Sequence, residues 1–215
     1  VASVNLSKTS DLDSIARDVL TRLIEGEVVL LPTETQYGLF CRADSPAALT
    51  RMFEIKERDT YSPVALAVSD AAHALQIVQP LSAPAMRLVK RFWPGPLTIV
   101  AKSKVPSWPM IVSEFMKVGL RCSSHRLIKS LAECADFYLA QTSANIHGQD
   151  PTGEIDVLTN WLADKVPVLI FDSHVNPVGT PSTVVDVSGP DIKVLRAGRI
   201  DTDEILRVWT EETPS

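Results

Sequence analysis

The chain has 215 residues, 21 Lys plus Arg against 26 Asp plus Glu for a formal charge of −5, with 45% hydrophobic and 22% charged residues. That balance belongs to a globular protein long enough to bury a real core, which excludes intrinsic disorder and a collagen-like fibre. Net acidity argues against whole-surface attraction to RNA or an anionic membrane, where phosphate neutralisation dominates affinity, but leaves room for a local basic cluster that grips a small anion.

The elements in chain order begin with a helix. Ser10 and Asp13 form a capping-box-like start, Leu12, Ile15, Ala16, Val19, Leu20, Leu23 and Ile24 follow at helical spacing, and Gly26 supplies the stop. Val28 to Leu31 reads as a buried strand ended by Pro32. Ser45-Pro46 opens a second helix with Leu49, Met52 and Phe53 inward, and Val64 to Val68 reads as a strand. Ser69-Asp70 and Ser82 each start a further helix, the second ending at Trp93-Pro94-Gly95-Pro96, a turn that sends the chain into a strand from Leu97 to Ala101.

Strands at Val118 to Arg121 and Phe137 to Gln141 flank a helix from Ser124 to Cys134. A helix from about Glu154 to Ala163 precedes strands near Val168 to Phe171, Thr183 to Val187 and Ile192 to Leu195. Asp201 with Glu204 caps a last helix, about residues 201–212. Strands and helices mix throughout, without repeat or linker, so the pattern predicts one α/β (α+β) domain over residues 1–215, built on a mixed sheet.

Cys41, Cys122 and Cys134 are odd in number and far apart, with no C-x-x-C, which suits a reducing compartment better than a disulfide framework or a zinc site. The four histidines (His73, His125, His147, His174) are scattered, and structural or solvated roles cover them. The first twenty residues lack a signal-peptide core, and no apolar run approaches the roughly 20 residues that span a bilayer. The expectation is a cytoplasmic protein with no membrane contact and no dedicated metal site.

Polar residues cluster directly after predicted strands, where open α/β sheets place their ligands. Five segments stand out. Pro32 to Leu39 sets two threonines and a tyrosine between a strand and a glycine, as a ligand loop or an ordinary polar turn. Lys56-Glu57-Arg58 closes a helix, either complementing its dipole or gripping a polyphosphate. Arg121 ends an apolar strand as an anion clamp or one half of a surface salt bridge. Thr142-Ser143-Ala144-Asn145 follows a strand, as a phosphate or ribose contact or an Asx-type turn. Gly179 to Asp186 places Ser182 at a strand entrance, and Arg196 stands where the next strand leaves. No P-loop, G-x-G-x-x-G or nucleophile–histidine pattern competes. The aromatics Phe92, Trp93, Trp161 and Trp209 fall at helical core positions and read as packing.

Taken together and in this order, the segments resemble the YrdC family of threonylcarbamoyl-AMP synthases. The matching stretches are Leu31 to Leu39, Lys56 to Arg58, Phe92 to Thr98, Gly119 to Arg121, Thr142 to Asn145, Pro181 to Asp186 and Leu195 to Gly198. The resemblance implies a YrdC/RibB-like twisted mixed sheet flanked by helices, with a concave, locally positive cavity. Longer members carry a second C-terminal domain, and the expectation is the single-domain form.

It also implies a reaction: L-threonine, bicarbonate and ATP give threonylcarbamoyl-adenylate and pyrophosphate, the product serving threonylcarbamoyladenosine modification of tRNA. By motif position Lys56 and Arg58 would be catalytic, holding phosphates and the bicarbonate-derived group. Ser143, Asn145 and Arg196 would join them in binding ATP, and Thr35, Arg121 and Ser182 would hold threonine, Arg121 on its carboxylate. Mg2+ would arrive with ATP. The product would pass to the tRNA threonylcarbamoyl-transfer machinery, with weak or indirect tRNA contact, from a monomer or homodimer.

Four places depart from the family's usual pattern: Phe40 where glycine is common, Asp59 where proline usually follows, Cys122 to Arg126 where an apolar residue, a Pro and then His-Pro usually follow, and Ala197 where proline follows the arginine. They leave two other readings open: a relative acting on another amine or carbamoyl donor, and an RNA-binding or ribosome-maturation module.

Overall fold

The computed structural model describes residues 2–8, 11–57, 64–105, 110–113, 115–173 and 179–211. Ten strands, β1 Ala2–Asn5, β2 Val29–Pro32, β3 Tyr37–Arg42, β4 Ala65–Ala67, β5 Leu97–Lys102, β6 Lys117–Arg121, β7 Leu139–Ser143, β8 Val168–Phe171, β9 Thr183–Asp186 and β10 Lys193–Arg196, join in one sheet of order β1-β8-β2-β3-β7-β4-β6-β5-β9-β10. The pairs β1/β8, β2/β8, β4/β6 and β5/β9 are parallel and the others antiparallel, so the sheet is mixed.

Seven helices accompany it among the described residues: α1 Leu12–Ile24, α2 Pro46–Lys56, α3 Ala71–Ile77, α4 Ala83–Phe92, α5 Arg126–Cys134, α6 Ile155–Leu162 and α7 Thr202–Thr210. Their starts follow local chemistry. Asp11, Ser45, Asp70, Ser82 and Asp201 each accept a backbone N–H from the first turn, satisfying a donor the helix itself cannot. α5 is capped by the ring of His125 rather than by Ser124. The expected Ser10 cap lies outside the described residues. Glu204, expected to share the α7 cap, stands 3.8 Å from Arg91 instead.

The strand expectations fail in three places, for physical reasons: β1, four residues with an exposed start and no apolar run to mark it, stands unforeseen at the sheet edge beside β8. Residues 37–42 form β3, because Tyr37, Leu39 and Cys41 fill one core while Gly38 and Phe40 face the other side. That alternation is hidden in sequence by apolar residues on both faces. Pro32 belongs to β2 as its last residue rather than ending the strand before it.

Strand alternation sorts side chains into two unequal layers. On one face Leu30, Leu39, Leu66, Ile99, Leu120 and Val185 pack with buried residues of α2, α3, α4, α6 and α7. Partly buried Phe92, Trp93, Trp161 and Trp209 pack against this core as expected. On the opposite face Val29, Leu31, Phe40, Leu139 and Ile170 pack under α1 and α5. These two helices cover only the half of that face nearest β8, β2, β3 and β7. Among the described residues no helix packs over β4, β6, β5 and β9 on this second face, where a cavity lies.

Candidate functional site

The open half-face is the floor of a cavity of about 520 Å³, within the usual range for small-molecule sites. Lys117, Gly119 and Arg121 of β6, Thr98 and Val100 of β5, and Val184 and Asp186 of β9, alternate residues of three strands, line it with Gln141, Thr142 and Ser143 at the end of β7. Three lining residues are cationic (Lys117, Arg121, Arg196) and one anionic (Asp186), so the cavity is locally positive on an acidic chain.

Arg121 is the best-held of these charges. Its Nη2 donates to Glu34 Oε1 at 2.8 Å and to Thr35 Oγ1 at 2.5 Å. The loop carrying both acceptors is shaped by Thr33, whose hydroxyl donates to the Gln36 carbonyl and receives the backbone N–H groups of Thr35 and Gln36. Glu34 is also held by the hydroxyl of Ser123. Burial alone would raise the Glu34 carboxyl, but the Arg121 charge and the hydrogen bonds from Arg121 and Ser123 outweigh it and keep its pKa below the ordinary value. The sequence shows no carboxylate near Arg121 and leaves a surface salt bridge open; the partner is Glu34, 87 positions away, in a pair only 11% and 17% exposed.

Behind this pair lies a second buried polar chain. His125 Nδ1 accepts the Leu127 N–H, so Nε2 carries the proton that meets Asp172 Oδ2 at 3.2 Å. Burial lowers the His125 pKa, with Asp172 opposing it. The Asp172 carbonyl in turn accepts from the Tyr37 hydroxyl. His125 is thereby a structural pin; His174 lies outside the described residues.

At the far edge a bulge aims Arg196. Val194 pairs with Val185, but Val184 pairs with Arg196 rather than Leu195, so the extra residue puts the arginine opposite a cavity-facing position. Its Nε and Nη2 donate to the Ser182 carbonyl at 3.2 and 3.0 Å, and Nη2 reaches Ser182 Oγ at 3.0 Å. Desolvation and then the Arg121 charge lower its pKa, the mark of two like charges facing one cavity. Ser182 is buried and shares a 2.9 Å hydrogen bond with Thr98.

Gly198 makes this corner possible. A Cβ there would stand 2.4 Å from the Pro181 carbonyl oxygen and the Ser182 carbonyl carbon, and 2.5 Å from Thr183 N. All three are backbone atoms, so nothing can swing aside. Gly198→Ala is expected to cost about 1–3 kcal/mol or more, read as a lower midpoint in thermal unfolding; an unchanged midpoint would contradict this packing.

Lys56 sits differently. α2 ends directly after it, with Glu57 in the left-handed region at φ 52°. The Lys56 side chain is buried, and Nζ donates to the Ser143 carbonyl at 2.5 Å, the Asn145 carbonyl at 2.7 Å and Asn145 Oδ1 at 3.2 Å. Asn145 also receives the Ser143 hydroxyl and donates to the carbonyls of Ile146 and Gln149. The Thr142–Asn145 loop is thus tied to the end of α2 through a buried ammonium. Of the expected residues Thr35, Arg121, Ser143, Ser182 and Arg196 share the cavity lining, while Lys56 and Asn145 stand behind its Ser143 edge. Arg58, and Asp59 beside it, lie outside the described residues.

Phe40 is fully buried in the α1/α5 core, and its ring edge is the nearest atom to a Cβ built on Gly38, at 2.9 Å. It forms a back wall of the cavity without protruding as an exposed side chain. Sequence reading does not single out Lys117, Asp186, Gln141 or Thr98. Lys117 and Asp186 pair at 2.7 Å across β5, and burial of Asp186 is overcome by its hydrogen bonds from Lys117 and Ser188, which lower its pKa. The signal that finds them is parity: Lys117, Gly119 and Arg121 alternate with buried Val118 and Leu120. Among the described residues no three His, Cys, Asp or Glu side chains gather to hold a metal ion, and no helix is long and apolar enough to cross a membrane.

Known proteins resemble this chain in sequence and in fold. A threonylcarbamoyl-AMP synthase of Pyrococcus abyssi is 32% identical over 188 residues, which are 87% of this chain and 55% of that protein. One of Pseudoalteromonas atlantica is 32% identical over 168 residues, 75% of this chain and 86% of that one. The crystal structure of P. abyssi Sua5 complexed with L-threonine matches with a TM-score of 0.87 at 27% identity, covering 97% of this chain and 61% of that one. The chain thus spans a little over half the length of the P. abyssi relative. The Sua5/YciO/YrdC family model, described as "Telomere recombination", matches residues 21–198, and the chain belongs to that family.

Proposed function

We propose that the chain forms L-threonylcarbamoyladenylate and pyrophosphate from L-threonine, bicarbonate and ATP, as a nucleotidyltransferase supplying threonylcarbamoyladenosine modification of tRNA. The observation that carries this reading is the clustering of Thr35, Arg121 and Ser182 on the half of the sheet that no helix covers among the described residues. The names of the P. abyssi and P. atlantica relatives and the L-threonine complex support it.

The chemistry needs no covalent enzyme intermediate. The threonine nitrogen attacks bicarbonate carbon, losing a proton and, with water departing, leaves a carbamate. A carbamate oxygen then displaces pyrophosphate from the α-phosphorus of ATP. Positioning and charge neutralisation supply the catalysis.

Arg121 holds the threonine carboxylate, with Thr35 and Ser182 beside it. Arg196 and Ser143 face the phosphates, and Arg58 grips them with the bicarbonate-derived group. Asn145 belongs to the ATP-binding loop, which Lys56 at the end of α2 fixes from behind while its charge reaches the phosphates through the loop. Mg2+ enters as part of the ATP substrate, since the carboxylates beside the cavity, Glu34 and Asp186, are each engaged by a cation. The protein acts in the cytoplasm as a monomer or homodimer and hands its labile product to the tRNA threonylcarbamoyl-transfer machinery, with at most weak or indirect tRNA contact.

The deciding experiment is pyrophosphate release from ATP and bicarbonate, with and without L-threonine, with L-serine as control. Threonine-dependent release is the expected result. ATP binding with no amino-acid stimulation would overturn it in favour of another amine or carbamoyl donor.

A further inference from the structure

Among the described residues five side-chain polar atoms are buried without a hydrogen-bond partner, and two of them, Arg121 Nε and Gln141 Nε2, belong to residues lining the cavity. Arg121 has its place in the proposed reaction. Gln141 has none, yet the residue is only 6% exposed and its amide donor is unsatisfied. An orphaned buried donor costs free energy in the free protein, so the atom marks where a ligand acceptor is missing.

The surroundings say which ligand. In the register across the sheet Gln141 stands between Phe40 on β3 and Ala65 on β4, with Gly119 of β6 next beyond. Ala65 and Gly119 carry at most a methyl group, so the carboxamide borders floor free of longer side chains. The residues assigned to the amine substrate, Thr35, Arg121 and Ser182, all line this cavity, whereas Lys56 and Asn145 of the nucleotide set do not. Ser143, two residues along the same strand face, marks the nucleotide side. A substrate lying between Ser143 and Arg121 passes Gln141.

On the reading given under Proposed function, we propose that Gln141 selects the amine substrate by its side-chain hydroxyl. Nε2 donates to the hydroxyl oxygen, and the amide oxygen is available to accept the hydroxyl proton. A carboxamide offers one donor and one acceptor, the complement of a hydroxyl, and a site built this way rejects an isostere that lacks it.

The test sets L-threonine against L-valine, its isostere without the hydroxyl, in the wild-type protein and in Gln141→Leu. The wild type is expected to favour threonine in kcat/KM by at least about a hundredfold, and the variant to bring that ratio below about tenfold by losing activity on threonine alone. ATP affinity stays the same, and the melting temperature is unchanged or higher, because an orphaned polar group has been removed. An equal threonine-to-valine ratio in the two proteins overturns the proposal, as does a parallel loss on both substrates with a lower melting temperature, which is a packing defect. Gln141→Met, closer in length, replaces the leucine variant if that one does not fold.

If the wild type releases pyrophosphate with no amino acid, the assigned reaction fails, and the proposal is decided by calorimetric titration of L-threonine and L-valine into both proteins. A threonine preference present in the wild type and lost in the variant upholds it; no preference overturns it.

Discussion

Lys56→Met is expected to lower stability and pyrophosphate release together. The buried Lys56 ammonium donates to three oxygens of Ser143 and Asn145, and methionine fills much the same space with no donor. The two backbone carbonyls and the Asn145 side chain then lose a charged partner in a part-buried setting, which costs about 2–4 kcal/mol. For a chain of this size that is a drop of roughly 5–15 °C in melting temperature. The loop that presents Ser143 to the cavity is released at the same time, so adenylate formation falls by about tenfold to a thousandfold, the range seen when a preorganised charged contact is lost. Wild-type stability in this variant would contradict the buried ammonium, and wild-type rates would sink its place in the site. Arg58→Ala is expected to fall in the same range of activity.

Arg121→Ala separates the two substrates. Losing a charged, partly buried contact to a carboxylate costs about 1.5–3 kcal/mol, so the KM for threonine rises by roughly tenfold to a hundredfold while the KM for ATP changes little. Stability falls as well, because Glu34 keeps its burial and loses the charge that holds its carboxyl ionised. Adding Glu34→Gln to Arg121→Ala should recover part of the stability and none of the threonine affinity. An effect confined to the ATP KM would reverse the assignment of Arg121.

The sequence carries the fold where a single stripe or cap decides it. Helices α1, α2, α4, α5, α6 and α7 begin and end close to where their apolar spacing and capping residues place them, and α3 begins at its expected cap. It misses β1, too short and too exposed to show a pattern, and β3, because Phe40 and Leu39 both point into apolar cores on opposite faces, and a strand buried on both sides has no alternation to read. It reaches Arg121, Ser182 and Arg196 but not their partners. The Glu34–Arg121 pair spans 87 residues and the Ser182–Arg196 contacts depend on a bulge, both products of the assembled sheet. Gln141 reads as an unremarkable strand end, and only its burial with an unpaired amide sets it apart.

A sheet paved on one side and half bare on the other divides the labour of mutation between adjacent residues. Along β6, changes at Val118 and Leu120 meet the helix-covered core, while changes at Gly119 and Arg121 meet the cavity floor, Gly119 against Ala65 and Thr98 and Arg121 against Glu34 and Thr35. Selection for a new substrate can therefore work on every second residue of β5, β6, β7 and β9 without entering the helix-packed core, at a cost set by the ion pairs and hydrogen bonds on the cavity floor. A saturation library scored separately for abundance and for turnover would show the two tolerances out of phase, with a period of two.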